Sequence, residues 1–372
     1  MEKIIFRNFL KDITNFFIYS LVSIALIVWI IQAVNYLDFV SEDGHSFKIY
    51  LFYTILNLPK IISRILPFIF FISIFYTILK YEENNELLIF WINGINKKQF
   101  LNKILKYASI FLLIQLALTT FINPKTQDMA RSFIRASSVD FFPSLIKEKK
   151  FIDTVSNLTI FVDKKIDNEL TNIILKDKFN DDKSQLIYAK KGLIFNADAI
   201  NYLILYDGKI INTDNGKTTI FSFEKTKFNL SNYATKSTLY PKFQELKSTT
   251  LLTCLYSHIK NFKVKFDYLE CDSDKLKDVY QEVFKRFYLP IYLLCLALIA
   301  SLIILFSKDV YNYNKMKISY FLIGMFVIVL SNISVKYSTN NDGINYLFFI
   351  LPILIFSVVY IYFIKKTKIA KK

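Results

Sequence analysis

Six long apolar runs, almost free of charged positions, punctuate this chain: Ile13 to Leu37, Ile61 to Leu79, Leu105 to Ile122, Leu289 to Phe306, Ile318 to Val335 and Tyr346 to Ile364. Several extend for about 18 residues or more without a charge, which is what a helix needs to cross a hydrocarbon core of roughly 30 Å at about 1.5 Å per residue. The pattern predicts six membrane spans, three before and three after a long insertion. The first run exceeds the apolar core of a signal peptide, about 7 to 15 residues, and no clear small-x-small cleavage site accompanies it, so it is expected to stay attached as a helix.

Within the insertion the period changes to alternation, as in Leu158, Ile160 and Val162. Leu203 to Tyr206 and Ile210 to Ile211 flank Asp207-Gly208, and Asp-Gly between two β-prone runs predicts a tight hairpin, because both central turn residues need positive φ. Further strands are expected over Leu170 to Lys176, Leu186 to Ala189, Gly192 to Asn196, Thr218 to Phe223 and Lys227 to Leu230. Many short strands without intervening helices favour a sandwich, jelly roll or open barrel. From about Lys242 the pattern turns helical, and Asp274 to Arg286 predicts an amphipathic helix running into the fourth span. The expected architecture is a helical membrane protein, 3+3 spans, with an inserted all-β domain of one of these three kinds. Its parts are residues 1–122, 123–284 (the β domain with helical connectors) and 285–372.

Charge placement adds orientation. The chain carries a net charge of +16, but where the bases fall matters more than their total. Lys3, Arg7 and Lys11 precede the first span, and Lys80, Lys97, Lys98, Lys103 and Lys106 lie between the second and third. Lys308, Lys315 and Lys317 follow the fourth, and Lys365, Lys366, Lys368, Lys371 and Lys372 end the chain. Short cytosolic segments are enriched in base, so both termini are expected in the cytosol and the β domain outside it. The excess of base needs no nucleic-acid partner, since enrichment in Lys, Asn, Ile and Phe also follows from AT-rich coding DNA.

Candidate covalent chemistry is sparse. Cys254, Cys271 and Cys295 show neither a CxxC pair nor zinc spacing, so no metal site is expected. A Cys254–Cys271 disulfide would suit an oxidising compartment, although unpaired, half-buried thiols are the expectation. His45 and His258 are the two histidines, too few for a nucleophile–base pair to stand out. Gly216-Lys217-Thr218 ends like a phosphate-binding loop, but Ile211 stands where its first glycine belongs, and a β-turn is the better reading. No catalytic residue or cofactor is predicted.

Two segments are more distinctive. Glu82, Glu83 and Glu86 lead into Leu87, Leu88, Ile89, Phe90, Trp91 and Ile92 before Gly94, which predicts a short helix with acid in its first turn and a glycine stop. Such a helix either docks a partner or lies in the lipid interface. After the third span, Lys125, Arg131 and Arg135 follow Asn123-Pro124. Arg131 and Arg135, four apart, would share a helix face and suit phosphate recognition or anchoring to ordinary headgroups. Within the first span, Gln32 and Asn35 would seek a helix partner or line a cavity, with packing the default.

Together these features resemble the lipopolysaccharide-export permeases of the LptF/LptG family over nearly the whole chain. Leu66-Pro67, then Asn85-Glu86-Leu87 and Gly94, are similar to the family's "LP" and its cytosolic coupling helix. Glu282-Val283-Phe284-Lys285-Arg286-Phe287-Tyr288-Leu289-Pro290 resembles the lead into its fourth span, and Gly343 with Leu351-Pro352 resembles its last. The resemblance implies that the inserted β domain is jellyroll-like and periplasmic, and it implies a bacterial inner-membrane complex with a second LptF/LptG-type permease, a cytosolic ATPase dimer, a periplasmic bridge protein docked on that domain, and lipopolysaccharide as cargo entering from the outer leaflet. It implies coupling to the ATPase through Glu86, Leu87, Phe90 and Gly94, and lipid-phosphate contact by Lys125, Arg131, Arg135 and the Gln32 position. The LptG branch carries lysine where Gln32 stands, which tilts the resemblance towards an LptF-like subunit. The competing readings are a non-transporting receptor or scaffold whose β domain recruits envelope proteins, and a membrane enzyme acting on lipid or glycan.

Overall fold

The computed structural model describes residues 2–37, 47–155, 158–180, 183–197, 200–214, 217–229, 242–260, 265–266, 269–270, 273–337 and 342–369. Its helices, in chain order, are α1 (Glu2–Asn35), α2 (Phe47–Leu56), α3 (Leu58–Glu83), α4 (Glu86–Ile92), α5 (Lys97–Ala117), α6 (Asn123–Leu145), α7 (Ser248–Ile259), α8 (Ser273–Phe287), α9 (Tyr292–Ser301), α10 (Tyr313–Tyr337) and α11 (Asp342–Ile369). A π-helical turn, Leu118–Ile122, joins α5 to α6. Six helical stretches are long and apolar enough to cross a membrane: Lys3–Asn35, Phe47–Glu83, Lys97–Ile134, Leu276–Leu305, Tyr313–Tyr337 and Phe348–Lys368. Each meets one expected span. The first four outrun their apolar runs by more than two turns, because a helix can continue through polar residues once past the hydrocarbon.

The chain divides into two compact units. The first, Met1–Ile30, Asn57–Gln127 and Lys242–Lys372, is helical. At its centre lies α9, apolar on every side, with Leu293, Leu296, Ala297, Leu298, Ile299 and Ala300 all buried; a helix with no polar face belongs in a core. It packs on α3, α5, α10 and α11. Gly324 of α10 lets Phe71 of α3 lie against bare backbone, since a Cβ there would stand 2.1 Å from the ring's Cζ. A second knot joins Phe6 and Phe9 of α1 to Phe90 of α4 and Phe100 of α5, with ring centroids 5.0 to 5.9 Å apart.

The second unit, Ile31–Leu56 and Asp128–Pro241, carries the sheet. Strands β1 (Phe151–Val155), β2 (Leu158–Ile166), β3 (Glu169–Asn180), β4 (Lys183–Ala197), β5 (Ile200–Asp214) and β6 (Lys217–Asn229) form one antiparallel sheet in consecutive order. The inserted β domain is therefore present, and its described strands run as a meander. Leu158, Ile160, Val162, Leu175, Ile187, Leu203 and Leu205 form its buried face.

The hairpin expected at Asp207-Gly208 is not there. β5 runs straight through: Tyr206 pairs with Lys191 and Lys225, and Gly208 with Ala189 and Phe223. Asp207 does take positive φ, 49°, and so does Asn172 in β3, 51°. The register places Asp163, Asn172, Lys190, Asp207 and Glu224 in one row across β2 to β6. At that row the buried positions change phase. In β3 Ile173 and Leu175 face inward on one side of it and Leu170 on the other; in β4 Ala189 is followed inward by Gly192 and then Ile194. Two successive outward residues at this crease look like a turn in sequence. Hence Leu186 to Ala189 and Gly192 to Asn196 are halves of β4, and Thr218 to Phe223 continues past the crease as β6.

Candidate functional site

α3 has a distinct site at each end. Its C-terminal end carries α4, and Asn85 between them adopts φ 62°. Gly94, at φ 76°, closes α4 with the Ile95 amide donating to Phe90 O and its own amide to Trp91 O, a paired bond pattern that uses up the last carbonyls. Leu87 and Phe90 are buried, while Leu88, Ile89 and Ile92 stand outward, Ile92 at 82% exposure. The helix is thus pinned on one side and apolar on the other.

Its base is tied to neighbouring helices. Tyr81 Oη donates to Asp12 Oδ2 of α1 at 2.6 Å. The Lys308 amide donates to Glu82 Oε1 at 2.9 Å, Lys308 Nζ to Glu83 O at 3.2 Å, and Lys317 Nζ of α10 pairs with Glu83 Oε1 at 2.9 Å. Lys97 Nζ, over the Trp91 ring, donates to Leu305 O at 3.2 Å. A displacement of α4 is therefore felt by α1, α3, α5 and the segment entering α10.

At the other end of α3, about 35 Å away at about 1.5 Å per residue, lies a polar cavity of about 420 Å³. It is lined by four bases, Lys60, Arg64, Lys285 and Arg286, against one acid, Glu282. Arg286 is saturated: Nε donates to Glu282 Oε1, Nη1 to Leu246 O and Ser248 Oγ, and Nη2 to Phe243 O and Gln244 O, all within 2.9 to 3.2 Å. Ser248 Oγ passes on to Thr120 O in the π-helical turn, and Thr119 Oγ1 to Arg286 O. Arg286 is thus a fastener for α8, the 243–248 segment and the end of the third span. Lys285 shares Glu282 at 3.1 Å, and Lys60 donates to Gln127 Oε1 at 3.0 Å. Arg64 is exposed and makes no hydrogen bond or ion pair among the described residues, which leaves its guanidinium fork available for an anion.

Of the residues singled out from sequence, Glu86, Leu87 and Phe90 fall together on α4 and Gly94 in the turn that closes it, Glu86 accepting from Asn84 Nδ2 at 3.0 Å. Lys125 and Arg131 lie on α6, exposed and half-buried, and do not line the cavity. The backbone of Arg135 continues α6, its side chain lying outside the described residues, and Gln32 is half-buried on α1. His258 is exposed on α7, while His45 and Cys271 lie outside the described residues. Cys254 is disulfide-bonded, against the expectation of a free thiol, and Cys295 is a buried free one. Sequence reasoning passed over Arg64, although it is the one charge within Ile61 to Leu79, and an ionised group inside a span is a functional signal by itself. Gln115 and Asn123, which also line the cavity, gave no signal, because their role depends on Ser63 across the helix pair.

Comparison with known proteins bears on the whole chain. The family described as "Lipopolysaccharide export system permease LptF/LptG" matches residues 7–366. The chain is also 26% identical over 189 residues to "Uncharacterized protein RP871" of Rickettsia prowazekii (strain Madrid E), covering 50% of this chain and 52% of that protein. It thus spans about half the length of the curated relative it matches.

Proposed function

The chain belongs to the LptF/LptG family of lipopolysaccharide export permeases, and we propose that it is one permease subunit of an ATP-driven export complex in the bacterial inner membrane, LptF-like rather than LptG-like. Transport here is conformational work, with ATP hydrolysed by a separate cytosolic ATPase dimer. α4 carries the reading: a seven-residue helix locked by Leu87 and Phe90, with Leu88, Ile89 and Ile92 turned outward, is built to be pushed by a partner. Glu86, in its first turn, favours a cationic or dipolar contact there.

In this reading both termini are cytosolic and the sheet is periplasmic, where it would hand cargo to a bridge protein. A disulfide at Cys254 suits that oxidising side. A second LptF/LptG-type permease would complete the lateral entry for lipopolysaccharide. Lys125, Arg131, Arg135 and Gln32 remain proposed phosphate contacts, and Arg64 and Lys60 join them.

Co-purification from membranes of wild-type and Glu86→Lys protein, with mass spectrometry of what accompanies each, tests this. The expected result is an ATPase and a second permease with the wild type, both reduced about tenfold or more in the mutant, on the scale of one lost charged contact. An intact wild-type protein that emerges alone would point to the receptor or scaffold reading instead.

A further inference from the structure

The cavity beside Arg64 presents acceptors as well as cations. Gln115 is 1% exposed and its Oε1 has no hydrogen-bond partner among the described residues, and Asn123 Oδ1 is buried without one among them too. Gln115 cannot be turned over to remove its mismatch. Gln115 Nε2 donates to Ser63 O at 2.8 Å, an atom that only accepts. Asn123 Nδ2 donates to Ser63 Oγ at 2.7 Å, and that hydroxyl has already given its own hydrogen to Lys60 O at 3.0 Å. Ser63 therefore holds both nitrogens, and the two oxygens, on residues that line the cavity, are left without a donor among the described residues. Gln127, on the same wall, shows what a finished amide looks like: its Oε1 accepts from Lys60 Nζ and its Nε2 donates to Asn57 Oδ1.

A buried acceptor without a donor is costly, and such groups are filled by water or by a ligand. A bare phosphate would satisfy Arg64 and Lys60 but set its oxygens against the two amide oxygens. A phosphate with an N–H or O–H group beside it satisfies all four. We propose that this cavity is a specificity site for phosphorylated headgroups that carry N–H or O–H donors next to the phosphate. Arg64 and Lys60 take the phosphate, and Gln115 and Asn123 accept the donors. Two sources share that chemistry, an ethanolamine phospholipid of the bilayer and the phosphorylated amino-sugar end of a glycolipid. The division of roles stands on the geometry, and only the second source rests on the export reading.

The test is native mass spectrometry of the full chain, with whatever subunits accompany it, titrated with phosphatidylethanolamine and phosphatidylcholine. The two share phosphate and net charge, but the second has no N–H. Wild type is expected to prefer phosphatidylethanolamine by about fivefold or more, the scale of one to two net hydrogen bonds. Its N-methyl and N,N-dimethyl forms, bulkier but still donors, should follow it rather than phosphatidylcholine. Gln115→Met should abolish the preference, and Arg64→Gln should weaken both lipids alike. Equal wild-type binding of the two lipids, which needs no variant to fold, overturns the proposal, as does an unchanged preference in Gln115→Met; water then serves the oxygens. Displacement of phosphatidylethanolamine by the phosphorylated glucosamine disaccharide of lipopolysaccharide assigns the site to cargo. Donor selectivity without displacement upholds the proposal with a resident phospholipid, and removes this cavity, though not the protein, from the export path.

Discussion

Two ion pairs stand at opposite ends of α3, and they do different work. Beside the cavity, Arg286 and Glu282 meet at 3.0 Å with side chains 2% and 11% exposed; at the base of α4, Lys317 and Glu83 meet at 2.9 Å with side chains 33% and 57% exposed. The distances are nearly equal, so burial decides. The first pair is out of water and survives because every guanidinium donor has an acceptor. The second is close to water and contributes little by itself. The cavity wall is held by polar bonds at depth, whereas the α4 end is held by aromatic packing and trimmed by charges that a partner or salt can reach.

The sharpest way to break this contrast is Arg286→Ala. It strands the carbonyls of Phe243, Gln244 and Leu246 and leaves Glu282 with Lys285 alone, and should cost about 3 to 5 kcal/mol, the scale for removing one member of a buried pair. The readout is thermal unfolding of the purified protein in detergent. Arg286→Lys should recover little, because an ammonium has three donors on one point and this site uses five on a fork. Near-wild-type stability in either variant would mean the cavity wall is held by something else.

Phe90→Ala probes the packed end. Phe90 touches Phe6, Phe9 and Phe100, and its loss should cost about 3 kcal/mol, towards the lower end of aromatic truncations because α4 is short and can settle. Protease cutting after the α4 segment, compared with cutting elsewhere, tells local loosening from global unfolding. If the polar end were the softer one, Phe90→Ala would leave that pattern unchanged.

The two ends were unequally legible in the sequence. α4 was visible because it is local: acid, then an apolar run, then Gly94, each a signal carried by neighbours in the chain. The six spans were visible for the same reason. The cavity was hidden because its members, Lys60, Gln115, Asn123 and Arg286, lie far apart in sequence and acquire roles only through Ser63 and the 243–248 segment. Arg286 was visible as part of a motif, but not as a group with no donor to spare. In the sheet, alternation was read correctly within each half-strand and misread at the crease, where Lys190-Lys191 and Tyr206-Asp207 put two residues outward in succession. A change of phase and a turn look alike in one strand; the register of five strands tells them apart.

The smallest expected effect sharpens the comparison most. A double-mutant cycle on Glu83→Gln and Lys317→Gln should give a coupling of about 0.2 to 1 kcal/mol, as exposed pairs do. Salt should erode it, since at about 0.15 M the screening length is about 8 Å and both partners are open to solvent. The same cycle on Glu282 and Arg286 should be larger and less sensitive to salt, because the paired side chains are only 2% and 11% exposed. A Glu83–Lys317 coupling above about 2 kcal/mol, or one indifferent to salt, would mean the pair is shielded in the working protein. Since Lys308 also grips Glu82 and Glu83, the fifth span would then be clamped to the base of α4 by a strut, and force applied to α4 would reach α10 directly rather than through the aromatic knot.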